Sequence, residues 1–208
     1  ATFTGKPVEI GGSLGRIQAT GFGGVTVLKA FTRKRKMKIS ETEIAIQGFG
    51  NVGYWFAKFA QDAGFKIMAV SDSSGAIVNT KGVDIQKLKK LKEIYGSFKE
   101  VALKENLKYI SNDQLLTLKT DILVPAALEN VITENNAKDI KSKIILEMAN
   151  GPTSRKAEKV LLNKKIEVLP DILCNSGGVI TSYFEWLQNI KRETWKEEKV
   201  LKRYNLVK

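Results

Sequence analysis

The sequence predicts an α/β fold: an open, doubly wound (Rossmann-type), mostly parallel sheet with helices on both faces and a helical tail at the C-terminus. Three observations lead there. Short apolar runs alternate with stretches of helical periodicity along most of the chain. One run, 66–71, carries Ile67, Met68, Ala69 and Val70 without interruption, as a strand buried on both faces of a parallel sheet does. A glycine-rich turn, Gly48-Phe49-Gly50-Asn51-Val52-Gly53, joins a short strand to a helix with one apolar face.

In chain order, Val25, Leu28 and Phe31 recur at helical spacing, which predicts a helix from 20 to about 36. Arg33 to Lys36 then fall at its C-terminal end, where cations complement the helix dipole. A buried strand follows at 43–47. After the glycine turn, Val52, Trp55, Phe56, Phe59, Ala60 and Ala63 form one helical face, and Gly64 stops the helix. The next strand is 66–71. The lysine-rich stretch 83–108 reads as an exposed connection carrying one or two helices. Beyond it the pattern predicts a weak strand at 109–110, a helix near 112–118, a strand at 121–124 and a helix near 133–138. Then come a strand at 143–148, a helix at 154–163, a strand at 166–169 and a long helical tail from about 177.

At 208 residues and 43% hydrophobic, the chain suits a single domain with one sizeable core. No apolar run reaches the roughly 18 residues of a membrane span, and the first residues lack the basic start and apolar stretch of a secretion signal. The expectation is a soluble, cytoplasmic protein without a membrane partner. One cysteine, Cys174, cannot form an internal disulfide, and the absence of histidine excludes a zinc cluster or a histidine triad; no metal is expected. The formal charge of +12 raises the question of a polyanionic partner. Its lysines are spread over helical segments rather than interleaved with aromatics, so solvated helix faces account for them and no nucleic acid is expected.

The turn carries the chemistry. In a G-x-G-x-x-G sequence between strand and helix, Gly48 permits the tight turn, Gly50 lets backbone approach a pyrophosphate, and Gly53 allows helix and strand to pack closely. The helix beginning at Asn51 aims free N–H groups and its positive dipole end at phosphates. Asp72 stands 19 residues beyond Gly53, close to the spacing of about 20 at which an acid accepts hydrogen bonds from the adenosine ribose. An acid there favours NAD. Ser73, Ser74 and Lys81 leave room for a 2′-phosphate, so NADP stays open.

Ordered blocks along nearly the whole chain, from Thr4 to about Asn189, resemble the cofactor domain of glutamate dehydrogenases and of the related leucine, phenylalanine and valine dehydrogenases. They comprise Thr4-Gly5-Lys6-Pro7, Gly11-Gly12-Ser13-Leu14-Gly15-Arg16, Ala19-Thr20-Gly21, Ile46 through Gly53, and Val70-Ser71-Asp72-Ser73. Further on come Leu123 through Asn130, Glu147 through Thr153, Leu169-Pro170-Asp171-Ile172-Leu173, Asn175 through Val179, and Ser182-Tyr183-Phe184-Glu185-Trp186. The resemblance implies that Arg16 and Thr20 lie near the nicotinamide and that Asn51 sits on the phosphates, with Phe49 and Val52 completing the turn. It places Ala126 and Ala127 along the adenosine, Asn150 and Asn175 at the nicotinamide ribose and ring, and Ser182 at the side-chain carboxylate of the substrate. Phe22 and Ser176 depart mildly from the family pattern.

By the same resemblance, residues 1–18 lead in from a substrate domain, 19–176 form the dinucleotide-binding core and 177–208 the C-terminal helices. The family's lysine that polarises the 2-oxo acid and its proton-moving aspartate come from that preceding domain and have no counterpart in this sequence. The start at Ala1 without methionine fits a fragment. The resemblance therefore implies half of an enzyme that interconverts L-glutamate plus NAD(P) with 2-oxoglutarate, ammonia and NAD(P)H, hexameric when whole, with no catalytic residue in this part and no turnover by it alone. A leucine, valine or phenylalanine dehydrogenase and a non-catalytic nucleotide-binding module are the alternatives.

Overall fold

The computed structural model describes the backbone of residues 3–207 and the side chains of residues 3–203. Helix α1 (Ala19–Lys34) precedes strand β1 (Glu43–Gln47), and α2 (Asn51–Asp62) and β2 (Lys66–Asp72) follow. Then come β3 (Gly75–Val78), α3 (Ile85–Tyr95), α4 (Phe98–Glu105), β4 (Lys108–Ile110), α5 (Asn112–Leu116) and β5 (Ile122–Pro125). The chain continues through β6 (Ile144–Leu146), α6 (Arg155–Asn163), β7 (Glu167–Leu169), α7 (Asp171–Cys174), α8 (Gly177–Lys191) and α9 (Glu197–Val207).

Among the described residues seven strands form one sheet in the order β4-β3-β2-β1-β5-β6-β7. β2, β1, β5, β6 and β7 run parallel, so their C-terminal ends share one edge. The chain leaves β1 toward β2 on one side and reaches β5 on the other, which opens a crevice at that edge between β1 and β5. One core layer lies between the sheet and α1, α2, α3 and α4, around Leu28, Ile44, Ile46, Phe56 and Phe98. The other lies under α5 and α6, around Leu115, Leu123, Ile145 and Leu161.

The stop of α2 falls at Gly64, as the sequence predicts. α2 ends in a paired C-terminal motif: Gly64 has φ +93, its N–H bonds Gln61 O and that of Phe65 bonds Ala60 O. α3, α4, α5 and α6 are capped by the side chains of Asp84, Ser97, Ser111 and Ser154.

Several expectations change. Gly75–Val78 is an antiparallel strand paired with β2, where none was predicted, because a two-residue turn after Asp72 returns the chain at once along β2. The predicted helix at 133–138 shrinks to a 3-10 turn at Ala137–Asp139. The connection 83–108 is not merely exposed, since Ile85, Leu88, Phe98, Val101 and Ala102 are buried on the sheet. The tail folds back: Trp195, Val200 and Phe184 form a third cluster together with Phe22, Ile180 and Leu187. Among the described residues no helix is long and apolar enough to cross a membrane.

Candidate functional site

The crevice edge is built first from the glycine turn. Gly48 has φ +104, and a Cβ there would come within 2.7 Å of Ala127 Cβ. A Cβ on Gly53 would lie 2.1 Å from Gly48 O, so helix and strand approach as closely as only hydrogen permits. Gly50 differs: nothing in the chain lies within 4 Å of where its Cβ would be. It is also the N-cap of α2, without a capping side chain and without an acid in the first turn. Exposed N–H groups with a positive dipole end therefore face open space. Beside them lies a cavity of about 510 Å³ lined by Phe49, Gly50, Asn51, Trp55, Lys89 and Lys92 among others. The uncapped helix start suits a phosphate-bearing group, while the two lysines already face acids, Lys92 at Asp72 and Lys89 at Glu93, which also lines the cavity. Ala126, buried, and Ala127, exposed, follow β5 directly against this turn.

Three helix starts lacking a capping side chain meet here, those of α1, α2 and α8. The side-chain amide of Asn51 donates to Ile17 O at 2.8 Å, tying α2 to the segment before α1. A Cβ on Gly177 would lie 2.1 Å from Ala19 O, so the start of α8 rests on that of α1. One residue on, a Cβ at Gly178 would be 3.0 Å from both Arg16 Nη1 and Thr20 Oγ1. Ser182, half-buried, follows Gly178 by one helical turn and shares its face. Arg16 Nε and, at the end of β1, Gln47 Oε1 are buried without a hydrogen-bond partner among the described residues. Orphaned polar atoms at such an edge are suited to a polar ligand.

Asn150 and Asn175 come together after β6 and β7, where Nδ2 of Asn175 donates to Oδ1 of Asn150 at 2.7 Å. The structure thus sets the turn against Ala126 and Ala127, Gly178 of α8 against Arg16 and Thr20 with Ser182 one turn further on, and Asn150 against Asn175. All lie beyond strand C-termini or at the helix starts beside them.

Asp72 ends β2, next to the exposed Ser73, but both its oxygens are engaged within the chain. Oδ1 accepts from Ser74 N at 2.8 Å and Ser74 Oγ at 2.6 Å. Oδ2 accepts from Phe98 N at 3.0 Å and faces Lys92 Nζ at 2.8 Å. Burial works against its charge, yet Lys92, Ser74 and the Phe98 N–H outweigh that and hold its carboxyl below the ordinary aspartate value. Lys92 escaped the sequence reading because it sits in a lysine-rich helix of solvated appearance; only the packing of α3 and α4 sets it over Asp72. Two buried glutamates were also missed. Glu185, on α8, accepts from Gly5 N and from Lys6 through both backbone and side chain. Glu147, just past β6, has its carboxyl pushed up by burial against the opposing Thr153 hydroxyl and Asp171 N–H, with Asp171 and Glu158 adding repulsion. No group of three or more metal-ligating side chains forms among the described residues.

A sequence profile of the Glutamate/Leucine/Phenylalanine/Valine dehydrogenase family matches residues 11–206. Among solved structures, glutamate dehydrogenase from Peptoniphilus asaccharolyticus is 38% identical, with a TM-score of 0.83 over 99% of this chain and 47% of its own. The hetero-hexameric glutamate dehydrogenase from Thermus thermophilus, in a Leu-bound form, is 31% identical with a TM-score of 0.88 over 98% of this chain and 47% of its own. Plasmodium falciparum glutamate dehydrogenase is 26% identical with a TM-score of 0.87 over 98% and 45%. The chain spans just under half the length of each.

Proposed function

The chain belongs to the glutamate/leucine/phenylalanine/valine dehydrogenase family, and from that premise we propose that it is the nicotinamide-dinucleotide-binding part of an amino-acid dehydrogenase, with L-glutamate as substrate. The open start of α2 behind Gly50, at the crevice between β1 and β5, carries the reading. Exposed N–H groups there receive the pyrophosphate at the positive end of the helix dipole. Arg16, Thr20, Asn150 and Asn175 orient the nicotinamide end, while Ala126 and Ala127 border the adenosine. Ser182 reaches the side-chain carboxylate of glutamate. When bound, the cofactor supplies the hydride acceptor for oxidative deamination. The residues of this chain fix its position, and the activating lysine and proton-moving aspartate belong to the substrate domain of the whole enzyme. By itself the chain binds without turnover.

Asp72 favours NAD, with Ser73 beside it. Because Lys92 already neutralises that carboxylate, a 2′-phosphate meets less repulsion than an unpaired acid would give it, and NADP is accepted as well. Trp55 lines the cavity, so its fluorescence reports on occupancy. Titration with NADH and NADPH at ordinary ionic strength is expected to give saturable quenching with both. Failure of either coenzyme to associate, or preferential salt-sensitive binding of duplex DNA, overturns the reading. Release of NADH by the isolated chain with glutamate and NAD would refute the division of labour.

A further inference from the structure

We infer that Glu147 and Asp171 act as a positioning relay for the Asn150–Asn175 amide pair, so that a buried carboxylate with no contact to the cofactor sets its affinity at the nicotinamide end. This rests on the cofactor reading above. Three hydrogen-bonded links build the relay. Glu147 Oε2 accepts the N–H of Asp171, the first residue of α7, at 3.1 Å. The side chain of Asp171 turns back and accepts Gly151 N–H through Oδ2 at 2.9 Å. Its backbone carbonyl accepts Asn175 N–H at 2.8 Å. Two loops, one after β6 and one after β7, are thereby clamped from below, and Nδ2 of Asn175 meets Oδ1 of Asn150 at 2.7 Å.

The chemistry of Glu147 supports a placing role. It is 7% exposed, and burying a carboxylate against Asp171 and Glu158 is unfavourable. What it gains, beside the Thr153 hydroxyl, is the first N–H of the four-residue helix Asp171–Cys174, whose C-cap is Asn175. Gly151, the far end of the relay, has φ +50, a conformation that the Asp171 bond helps to hold. Without the relay, Asn150 and Asn175 keep their mutual bond but lose the link that fixes the pair relative to β6 and β7.

Calorimetric titration of the full chain with NADH and with ADP, which lacks both the nicotinamide and its ribose, tests this. Glu147→Ala is expected to weaken NADH about tenfold while leaving ADP within about twofold, and Glu147→Gln, which keeps an acceptor for Asp171 N–H, to restore NADH affinity. Asp171→Ala breaks the same relay from its more exposed side and predicts the same split, should Glu147→Ala fail to fold. Equal losses for both ligands, unchanged NADH affinity, or no rescue by glutamine in a folded protein would each overturn the relay. Amide NMR spectra of the ligand-free chain separate the two readings. If wild type binds no NADH, the cofactor reading falls, whereas the relay stands only if Glu147→Ala still shifts the Asn150, Gly151 and Asn175 signals and leaves 48–53 in place.

Discussion

The ammonium of Lys6 lies 2.7 Å from Oε1 of Glu185, whose other oxygen accepts Gly5 N–H at 2.8 Å. Glu185 is 1% exposed, so the lead-in segment is fastened to α8 by a carboxylate held in the protein interior. Glu185→Ala leaves those donors unmatched and is expected to cost about 2 kcal/mol. Lys6→Met, at a more solvated site, is expected to cost about 1 kcal/mol. Urea midpoints at constant slope would measure both, and equal stability of Glu185→Ala and wild type would contradict the assignment.

Titration of three carboxyls predicts the pH profile of stability. Burial opposes the charge of Asp72 and Glu185, but their cations and N–H donors prevail and lower both values. Their contribution is fully present above the unfolded carboxylate range of about 4 and is lost as pH falls through the folded values. Glu147 behaves oppositely: its folded value is raised, so stability declines as pH rises through it. Thermal melts between about pH 4 and 7 should show Glu147→Gln gaining on wild type with rising pH. A constant difference would remove the buried-carboxylate argument.

Glycines of the turn separate folding from binding. Gly53→Ala would drive a methyl into Gly48 O and is expected to destabilise by about 2 kcal/mol or more. Gly50→Ala meets nothing in the chain, so its melting temperature should stay within a few degrees. NADH affinity should nevertheless drop about tenfold, equivalent to about 1.4 kcal/mol. Undiminished NADH binding by Gly50→Ala would argue against a phosphate at this turn.

Lys92→Met removes the cation from Asp72. The unpaired carboxylate then repels a 2′-phosphate but not a ribose hydroxyl. NADPH affinity is expected to fall about tenfold more than NADH affinity. Parallel fluorescence titrations would reveal an unchanged ratio if Lys92 has no part in cofactor choice.

Trp195, 1% exposed, packs against Phe184 with ring centres 5.8 Å apart and has Lys199 and Arg203 over its face. Trp195→Ala is expected to cost about 3–5 kcal/mol and to release α9. Hydrogen exchange should then show loss of protection in α9 before the sheet. Retained protection there would mean that the tail is held elsewhere.

Much of this fold was legible because its signals are local. The uninterrupted run Ile67 to Val70 specifies a strand with both faces buried, and Gly64 ends α2 through its own backbone geometry. Gly75–Val78 was missed because a short segment after a turn carries no periodicity, and only pairing with β2 makes it a strand. The helix expected at 133–138 had the right residues but too few turns to outlast its surroundings. Among site residues, the glycine turn and Asp72 could be read from spacing. The other positions needed family resemblance, since a lone Ser or Asn is also a common turn or cap residue.

By itself the sequence determined most of the alternation of strands and helices, the glycine turn and the acid that ends the next strand, because each depends on residues within a few turns of one another. Tertiary structure alone decided that Lys92 neutralises Asp72, that Glu185 holds Lys6 across 179 positions of chain, and that Glu147 and Asp171 support Asn150 and Asn175. The first and last arise where parallel strands bring their C-terminal ends to one edge, and the second where the lead-in segment crosses α8. Burial makes an unpaired charge costly, so a partner is favoured wherever in the chain it lies.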